Sequence, residues 1–294
     1  HRQMDGRSGG RAGASLKPDR RAVREAARRR RAAKGAAISA LSTVVVLGAL
    51  AALILTSKGW PTVRETFFDW NAFRDSFPRV LDGFWLDIKL FVIVEIVVLI
   101  LGLVVALARS GRAPALFPLR LLSATFTDIF RGVPTILVVY LIGFGIPALA
   151  LPGLPSDPVV LGGAALALSY SAYVAEVYRA GIDSVHPDQR SAALALGLTE
   201  TQSTRFVILP QAVRRVVPPL LNDFIALQKD VALVSILGPL EAFRVAQIDA
   251  SSTFNYTPLL AAASLYLLVT VPLARIVDRM QARDRLRRSA GPAV

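Results

Sequence analysis

The chain has 294 residues, 53% of them hydrophobic, a mean hydropathy of +0.50 and a formal net charge of +13. Apolar and basic residues are segregated along it, which excludes one soluble core and points to an all-α, polytopic membrane protein of about six transmembrane helices. Cysteine is absent, excluding disulfides and thiolate metal or redox sites, and the two histidines, His1 and His186, offer no metal-ligand spacing.

Residues 1–34 carry 12 Lys and Arg against 3 Asp and Glu. So basic and so poor in apolar side chains, this tail is expected to be largely disordered up to about Asp19, with a helix after it. Such a run can bind nucleic acid or anionic lipid. Lying directly before an apolar stretch, it reads as a topogenic, lipid-facing anchor, each basic group contributing on the order of 1 kcal/mol near the surface. The stretch 35–57 is too long for a secretory signal and has no small-residue cleavage pattern before Trp60 and Pro61, so it is expected to be an additional N-terminal membrane helix. Residues 58–82, balanced in charge, are expected to form an extracytoplasmic loop.

A second span near Leu90 to Ala108 carries Glu95 at its centre. Pro114 to Phe130 is partly amphipathic, and Gly132 and Pro134 interrupt the helix before a third span, Val133 to Leu151. Such a break marks a bend, readable as a hinge or as a packing feature. The fourth span is Pro158 to Ala175, and Gly143, Gly145, Gly162 and Gly163 are expected to allow close helix contacts.

The stretch 183–210 differs from its surroundings, being polar and built as a helix-turn-helix bracket. Ser184 is expected to cap a first helix with Pro187 in its opening turn, and Gly197 to end it in a left-handed conformation. Thr199, with Gln202 three residues on, predicts a capping box for a second helix that Pro210 stops. Ala192, Ala193 and Ala195 supply small side chains for close approach of another surface. A DNA-reading module shares this outline, but the second helix offers only Arg205 as a basic contact and both ends are tied to membrane spans, so a membrane-tethered DNA-binding regulator is the lesser reading and no nucleic-acid partner is expected.

The fifth span, Val216 to Leu237, contains Lys229 and Asp230 near its centre and Asn222 and Asp223 nearer one end. A charge at mid-membrane costs roughly 2.5–3.5 kcal/mol and persists when paired or facing water. Lys229 is therefore expected to pair with Asp230 or Glu95, or, with Glu95, Asn222 and Asp230, to line a translocation pathway. Arg244 lies in the outer stretch 238–253, facing a pathway mouth or a docking partner, and a sixth span, Phe254 to Ala274, precedes a basic tail, 281–294. Lysine and arginine concentrate in both termini and in the stretches 109–131 and 176–215, which places these in the cytoplasm.

The segment "SAALALGLTETQSTRFVILP" resembles the EAA loop of ABC-transporter permease subunits through Ala192, Ala193, Gly197, Val207, Leu209 and Pro210, with Ser191 standing where that pattern has an acid. "SAYVAEVYRAGIDSVHPDQ", "ILPQAVRRVVPPLLNDFIALQKDVALVSILG" and "DIFRGVPTILVV" look like the branch serving polar amino-acid uptake, and the resemblance runs over about residues 84–280. It implies a permease domain over 83–280 with a five-helix core, an alternating-access pore shared with a second, identical or homologous permease subunit, and a dimer of ABC ATPase subunits that grips the bracket through Ser191, Ala192, Ala193, Gly197, Leu209 and Pro210. An extracytoplasmic solute-binding protein would deliver a small amino acid, or another small polar solute, within a lipid bilayer. It also suggests that Gly132 and Pro134 form a pore-side hinge. No G-x-x-x-x-G-K-[ST] loop is present, so no catalytic residue or cofactor is expected here, and ATP and Mg would be bound by the partner ATPase.

Overall fold

A computed structural model describes residues 20–110 and 114–289, all of whose regular structure is helical. The chain divides after Thr62 into two units. In the first, α1 (Arg20–Leu55) is one unbroken, proline-free helix, so the basic run continues directly into the apolar one. Its segment Arg31–Leu55 is long and apolar enough to cross a bilayer. Residues 1–19 and 290–294, which hold most of the expected disordered tail and the end of the C-terminal one, lie outside the described residues.

The expected loop over 58–82 is instead mostly helix: α2 (Trp60–Phe67) and the opening turns of α3 (Trp70–Ser110) occupy it. The reason is a helical period hidden by balanced charge. Phe73, Phe77, Val80 and Phe84 recur at spacings of three and four, and Val80 and Phe84 are buried in a cluster that Phe77 packs against. Asp69 starts α3 by accepting from the backbone N–H groups of Asn71 (2.9 Å) and Ala72 (3.3 Å).

The third expected span is not one straight helix. After a 3-10 turn, Pro114–Leu116, α4 (Phe117–Gly132) and α5 (Thr135–Ala148) meet at 107°. The 14 residues of α5 reach only about 21 Å at 1.5 Å per residue, short of roughly 30 Å of hydrocarbon. Extended Val133, obliged by Pro134 behind it, makes the corner.

Next comes α6 (Pro158–Asp183), capped by Asp157, which accepts from Val159 and Val160. It is the central post, touching α3, α4, α5 and α9, and 13 of its residues are buried. The main apolar core joins Phe91, Val94 and Val98 of α3, Val138 and Val139 of α5, Leu166 and Val174 of α6, and Leu227, Val231 and Val234. Close approach needs missing side chains here: a Cβ on Gly162 would fall 2.6 Å from Val234 and one on Gly143 2.2 Å from Leu237. Gly163 is also close-packed, whereas Gly145, expected at a close helix contact, meets nothing within 4 Å.

The remainder runs α7 (Pro187–Ala195), α8 (Glu200–Ser203), a π-turn at Thr204–Ile208, α9 (Leu209–Asp230), a 3-10 segment at Val231–Leu237, α10 (Ala242–Thr253) and α11 (Thr257–Ser289). Among the described residues four helical stretches are membrane-length: Arg31–Leu55, Trp60–Ser110, Pro158–Asp183 and Thr257–Arg283. Two bent pairs, α4 with α5 and Glu200–Leu237 with α10 (53°), pass the same length and apolarity test when joined, so the number is six if each pair is one span.

Candidate functional site

The bracket is held by local chemistry. His186, not Ser184, caps α7, its ring accepting from the Asp188 N–H at 3.3 Å. Ser184 still belongs to the end of α6, where its hydroxyl donates to the Gly181 carbonyl at 2.6 Å and its own carbonyl accepts from Arg215. Gly197 has φ +84 and ends the first helix as expected, its N–H donating to Leu194 at 2.9 Å. The expected capping box is present: Gln202 N–H donates to Thr199 Oγ1 (3.3 Å) and Thr199 N–H donates to Gln202 Oε1 (2.9 Å).

Pro210 does not stop the second helix. It sits in the first turn of α9, immediately after the π-turn, and the helix runs through it. The wider turn accounts for this, because proline's ring clashes with the carbonyl four residues back and the missing N–H leaves no α-type bond to lose.

Of the residues expected to meet the ATPase, Ser191, Ala192, Gly197, Leu209 and Pro210 are exposed. Ala193 is not: at 3% exposure it faces the protein's own core side, so the smooth outer surface is carried by Ala192 and Ala195. Ser191 donates back to the Pro187 carbonyl at 3.4 Å. Two features escape a reading of the sequence. Arg190 and Glu200 form an ion pair at 2.8 Å that ties α7 to α8, and Leu196 (84% exposed) and Phe206 (63%) present bare apolar side chains. The ten-residue spacing of the pair crosses a turn, so only the turn's geometry brings it together.

Within the helical body, the expected Lys229 to Asp230 pair is absent. Asp230 accepts from the Tyr170 hydroxyl at 2.8 Å, and none of the ion pairs among the described residues includes Lys229, which is exposed. Adjacent residues on a helix point about 100° apart, so neighbours in sequence face different surroundings. Glu95 is half-buried, with Tyr178 and Asp223 as its titratable neighbours rather than Lys229.

A larger polar centre lies at Glu176. Its carboxylate accepts from Arg109 and from Arg179 (2.8 and 3.1 Å), with Arg131 at 3.9 Å, and Arg179 bridges on to Asp183 at 2.8 Å. Beside it opens a cavity of about 440 Å³ lined by Arg131, Tyr173, Glu176, Arg215, Pro219 and Asp223. Asp223 lines this cavity, and its neighbour Asn222 is exposed. The helical spacing of Glu176, Arg179 and Asp183 is the signal the sequence offers, and it begins just past Ala175, where the apolar run of the fourth span ends. At the α4 to α5 corner, nothing lies within 4 Å of a Cβ on Gly132, so close packing does not account for that glycine.

At the opposite end, Arg244 donates to Gln247 at 2.8 Å, while its backbone N–H donates to Glu241, the cap of α10. The Tyr266 hydroxyl meets Asp87 Oδ2 at 2.7 Å and Glu241 Oε2 at 3.4 Å, so α3, α10 and α11 share one buried polar knot. A cavity of about 420 Å³ nearby is lined by Arg79, Asp82, Leu240, Val245, Ile248 and Asp249, with Arg79 and Asp249 paired at 2.9 Å.

Residues 98–285 match the family model described as "Binding-protein-dependent transport system inner membrane component". The chain is 32% identical over 209 residues to the arginine transport system permease protein ArtQ of Bacillus subtilis (strain 168), covering 71% of this chain and 93% of that protein. It is 30% identical over 220 residues to the glutamine transport system permease protein GlnP of Escherichia coli (strain K12), covering 74% and 99%. Among solved structures, an amino acid ABC transporter with histidines aligns at TM-score 0.66 with 30% identity, over 73% of this chain and 98% of that one. The inward-facing MetNI methionine ABC transporter shares the fold at TM-score 0.53 and 19% identity, over 69% and 95%. Helix α1 lies outside the family match.

Proposed function

As the chain belongs to the family of inner membrane components of binding-protein-dependent transport systems, we propose that it forms the alternating-access pathway of an ATP-driven importer of polar amino acids. The observation that carries this reading is the bracket. A self-capped, ion-paired helix-turn-helix with exposed Leu196 and Phe206 follows the membrane-length α6 and leads into α9, part of the bent pair with α10. Exposed apolar groups on a rigid polar element suit a protein partner. On this reading a cytoplasmic ATPase dimer, holding ATP and Mg, grips the bracket at Ser191, Ala192, Gly197, Leu209 and Pro210, with Ala193 supporting it from beneath. Both termini are then cytoplasmic, which the basic residues flanking the first and last spans favour.

A second permease subunit completes the pore, and an extracytoplasmic binding protein loads it. Amino acids are the substrate class because the 30–32% identical relatives are named for arginine and glutamine transport. The polar groups assigned to the pathway are Glu95, Asn222, Lys229 and Asp230, with Arg244 at its outer end. Exposed Lys229, in no ion pair among the described residues, suits an amino acid's carboxylate, and half-buried Glu95 suits its ammonium. Gly132 and Pro134 act as the hinge at the 107° corner. The test is uptake of a labelled amino-acid panel by proteoliposomes holding this chain, the ATPase and the binding protein. ATP-dependent uptake supports the reading, and uptake confined to non-amino-acid solutes overturns the substrate class.

A further inference from the structure

The junction of α2 and α3 and the junction of α10 and α11 are knitted into one corner. Tyr256 N–H donates to the Thr66 carbonyl at 2.7 Å, and Asp69 N–H to Thr257 Oγ1 at 3.1 Å. Asn255 Nδ2 donates to Asp69 Oδ2 at 3.2 Å and to the Glu65 carbonyl at 3.3 Å. These bonds direct polar groups inward and leave aromatic rings on the outside. Phe67 stacks on Tyr256 with centroids 5.1 Å apart, and Trp70 on Phe73 at 5.6 Å. Phe68 is 59% exposed, Trp70 71% and Phe254 79%. A cleft of about 230 Å³ is lined by Phe67, Phe68, Asp69, Trp70, Phe73, Thr257 and Leu260.

Phe254 adds an independent observation. It stands at φ +53, a left-handed conformation that costs a bulky residue strain, yet the ring is turned out. In water, both the strain and the exposed ring are unfavourable. At a bilayer surface the ring is buried instead.

Depth supports the same assignment. Helix α11, which is membrane-length, starts at this corner at Thr257, so the corner lies where that span enters the bilayer. Trp70 and Tyr256 both belong to the corner. Tryptophan and tyrosine concentrate at that depth because their rings have an apolar body and a polar edge.

We propose that this aromatic corner is a phospholipid-binding site, the cleft taking the upper part of one acyl chain while Phe68, Trp70 and Phe254 sit among the glycerol esters. The inference rests on reading α3 and α11 as membrane spans. It makes lipid part of the outer end of the helix bundle, beside the hydrogen bonds and the Phe67 to Tyr256 stack that already join the two junctions.

Trp70 is the one tryptophan that lines the cleft, so its fluorescence reports on the site. The double variant Trp60→Phe and Trp85→Phe leaves Trp70 as the single emitter. It would be reconstituted into phosphatidylcholine vesicles brominated either high on the acyl chain or near its end. Expected are blue-shifted emission, loss of about half of the intensity with the shallow label, a smaller loss with the deep one, and little quenching by aqueous iodide. Subtracting the emission of Trp70→Phe from that of the unaltered chain gives the same reading without the double variant. Iodide quenching comparable to free tryptophan overturns the proposal. So does protection of Trp70 only on addition of the solute-binding protein, which would make the corner a protein-docking surface. Amino-acid uptake in the same vesicles reports on the permease reading separately.

Discussion

The Tyr170 hydroxyl donates to Asp230 Oδ2 across 2.8 Å, so the carboxylate next to Lys229 in sequence is engaged by α6 and not by Lys229. The bond ties the central helix to the end of α9, at the depth where the proposed pathway carries its charges.

Tyr170→Phe is expected to leave the protein in the membrane at a cost of about 0.5–1.5 kcal/mol, the net worth of a hydrogen bond. If Asp230 needs this donor to keep its orientation in the pathway, uptake falls severalfold and the amino-acid preference changes. Thermal unfolding in detergent and competition uptake in vesicles measure the two effects. A loss of stability without any change of preference assigns the pair a structural role alone.

Gly197→Val should strain the bracket through its backbone, because Gly197 stands at φ +84 and nothing lies within 4 Å of a Cβ there. The left-handed conformation costs a non-glycine residue about 1–2 kcal/mol, and more for a β-branched one. The expected outcome is normal membrane insertion with loss of ATP-driven uptake, whereas Gly197→Asn retains much of it. Normal transport by Gly197→Val counts against coupling through this turn.

Reversing the pair, Arg190→Glu with Glu200→Arg, tests whether the bracket is pinned by charge. Both partners are about half exposed, with side chains 46% and 58% accessible, so either single change should cost under about 1 kcal/mol of stability. Each single change is expected to lower ATPase stimulation by substrate-loaded binding protein, and the double reversal to restore it.

Glu176→Gln leaves Arg109, Arg131 and Arg179 gathered around a neutral group. The carboxylate is 15% exposed and its arginine partners 27–44%, so the loss is moderated by solvent and is expected at about 1–3 kcal/mol. A lowered unfolding midpoint, partly recovered by adding Arg131→Gln, is the result sought.

Two glycines of similar appearance in the sequence should respond oppositely to alanine. A Cβ at Gly83 falls 2.7 Å from the Glu241 carbonyl carbon, and one at Gly145 meets open space. Gly83→Ala is expected to destabilise by about 1–3 kcal/mol through overpacking against backbone. Gly145→Ala should be neutral or stabilising by up to about 1 kcal/mol, since alanine favours helix.

Much of the fold was legible because a bilayer imposes length and apolarity on whatever crosses it, which is why Pro158 to Ala175 and Phe254 to Ala274 could be read directly. Hydropathy carries no information about direction, so the corner between α4 and α5 appeared only as Gly132 and Pro134, and its 107° did not appear at all. The bracket's capping box was readable since Thr199 and Gln202 act over three residues. Contacts such as Tyr266 with Asp87 or Arg109 with Glu176 join residues more than 60 positions apart, and nothing in a single sequence links them. Helix caps fell between these cases: Ser184 and His186 both suit an N-terminus, and tertiary engagement of Ser184 by Arg215 leaves the role to His186.

From Glu200 the chain continues as helix through the π-turn and α9 to Asp230, so the bracket and the polar end of α9 belong to one rod. A rod bends where its internal bonding is thinnest. Pro218 and Pro219 remove two consecutive backbone donors from α9, just before Asn222 and Asp223. Any load applied at Phe206 should therefore be absorbed as curvature at that tandem proline, and stiffness there, more than the strength of the grip, would fix how far the far end swings.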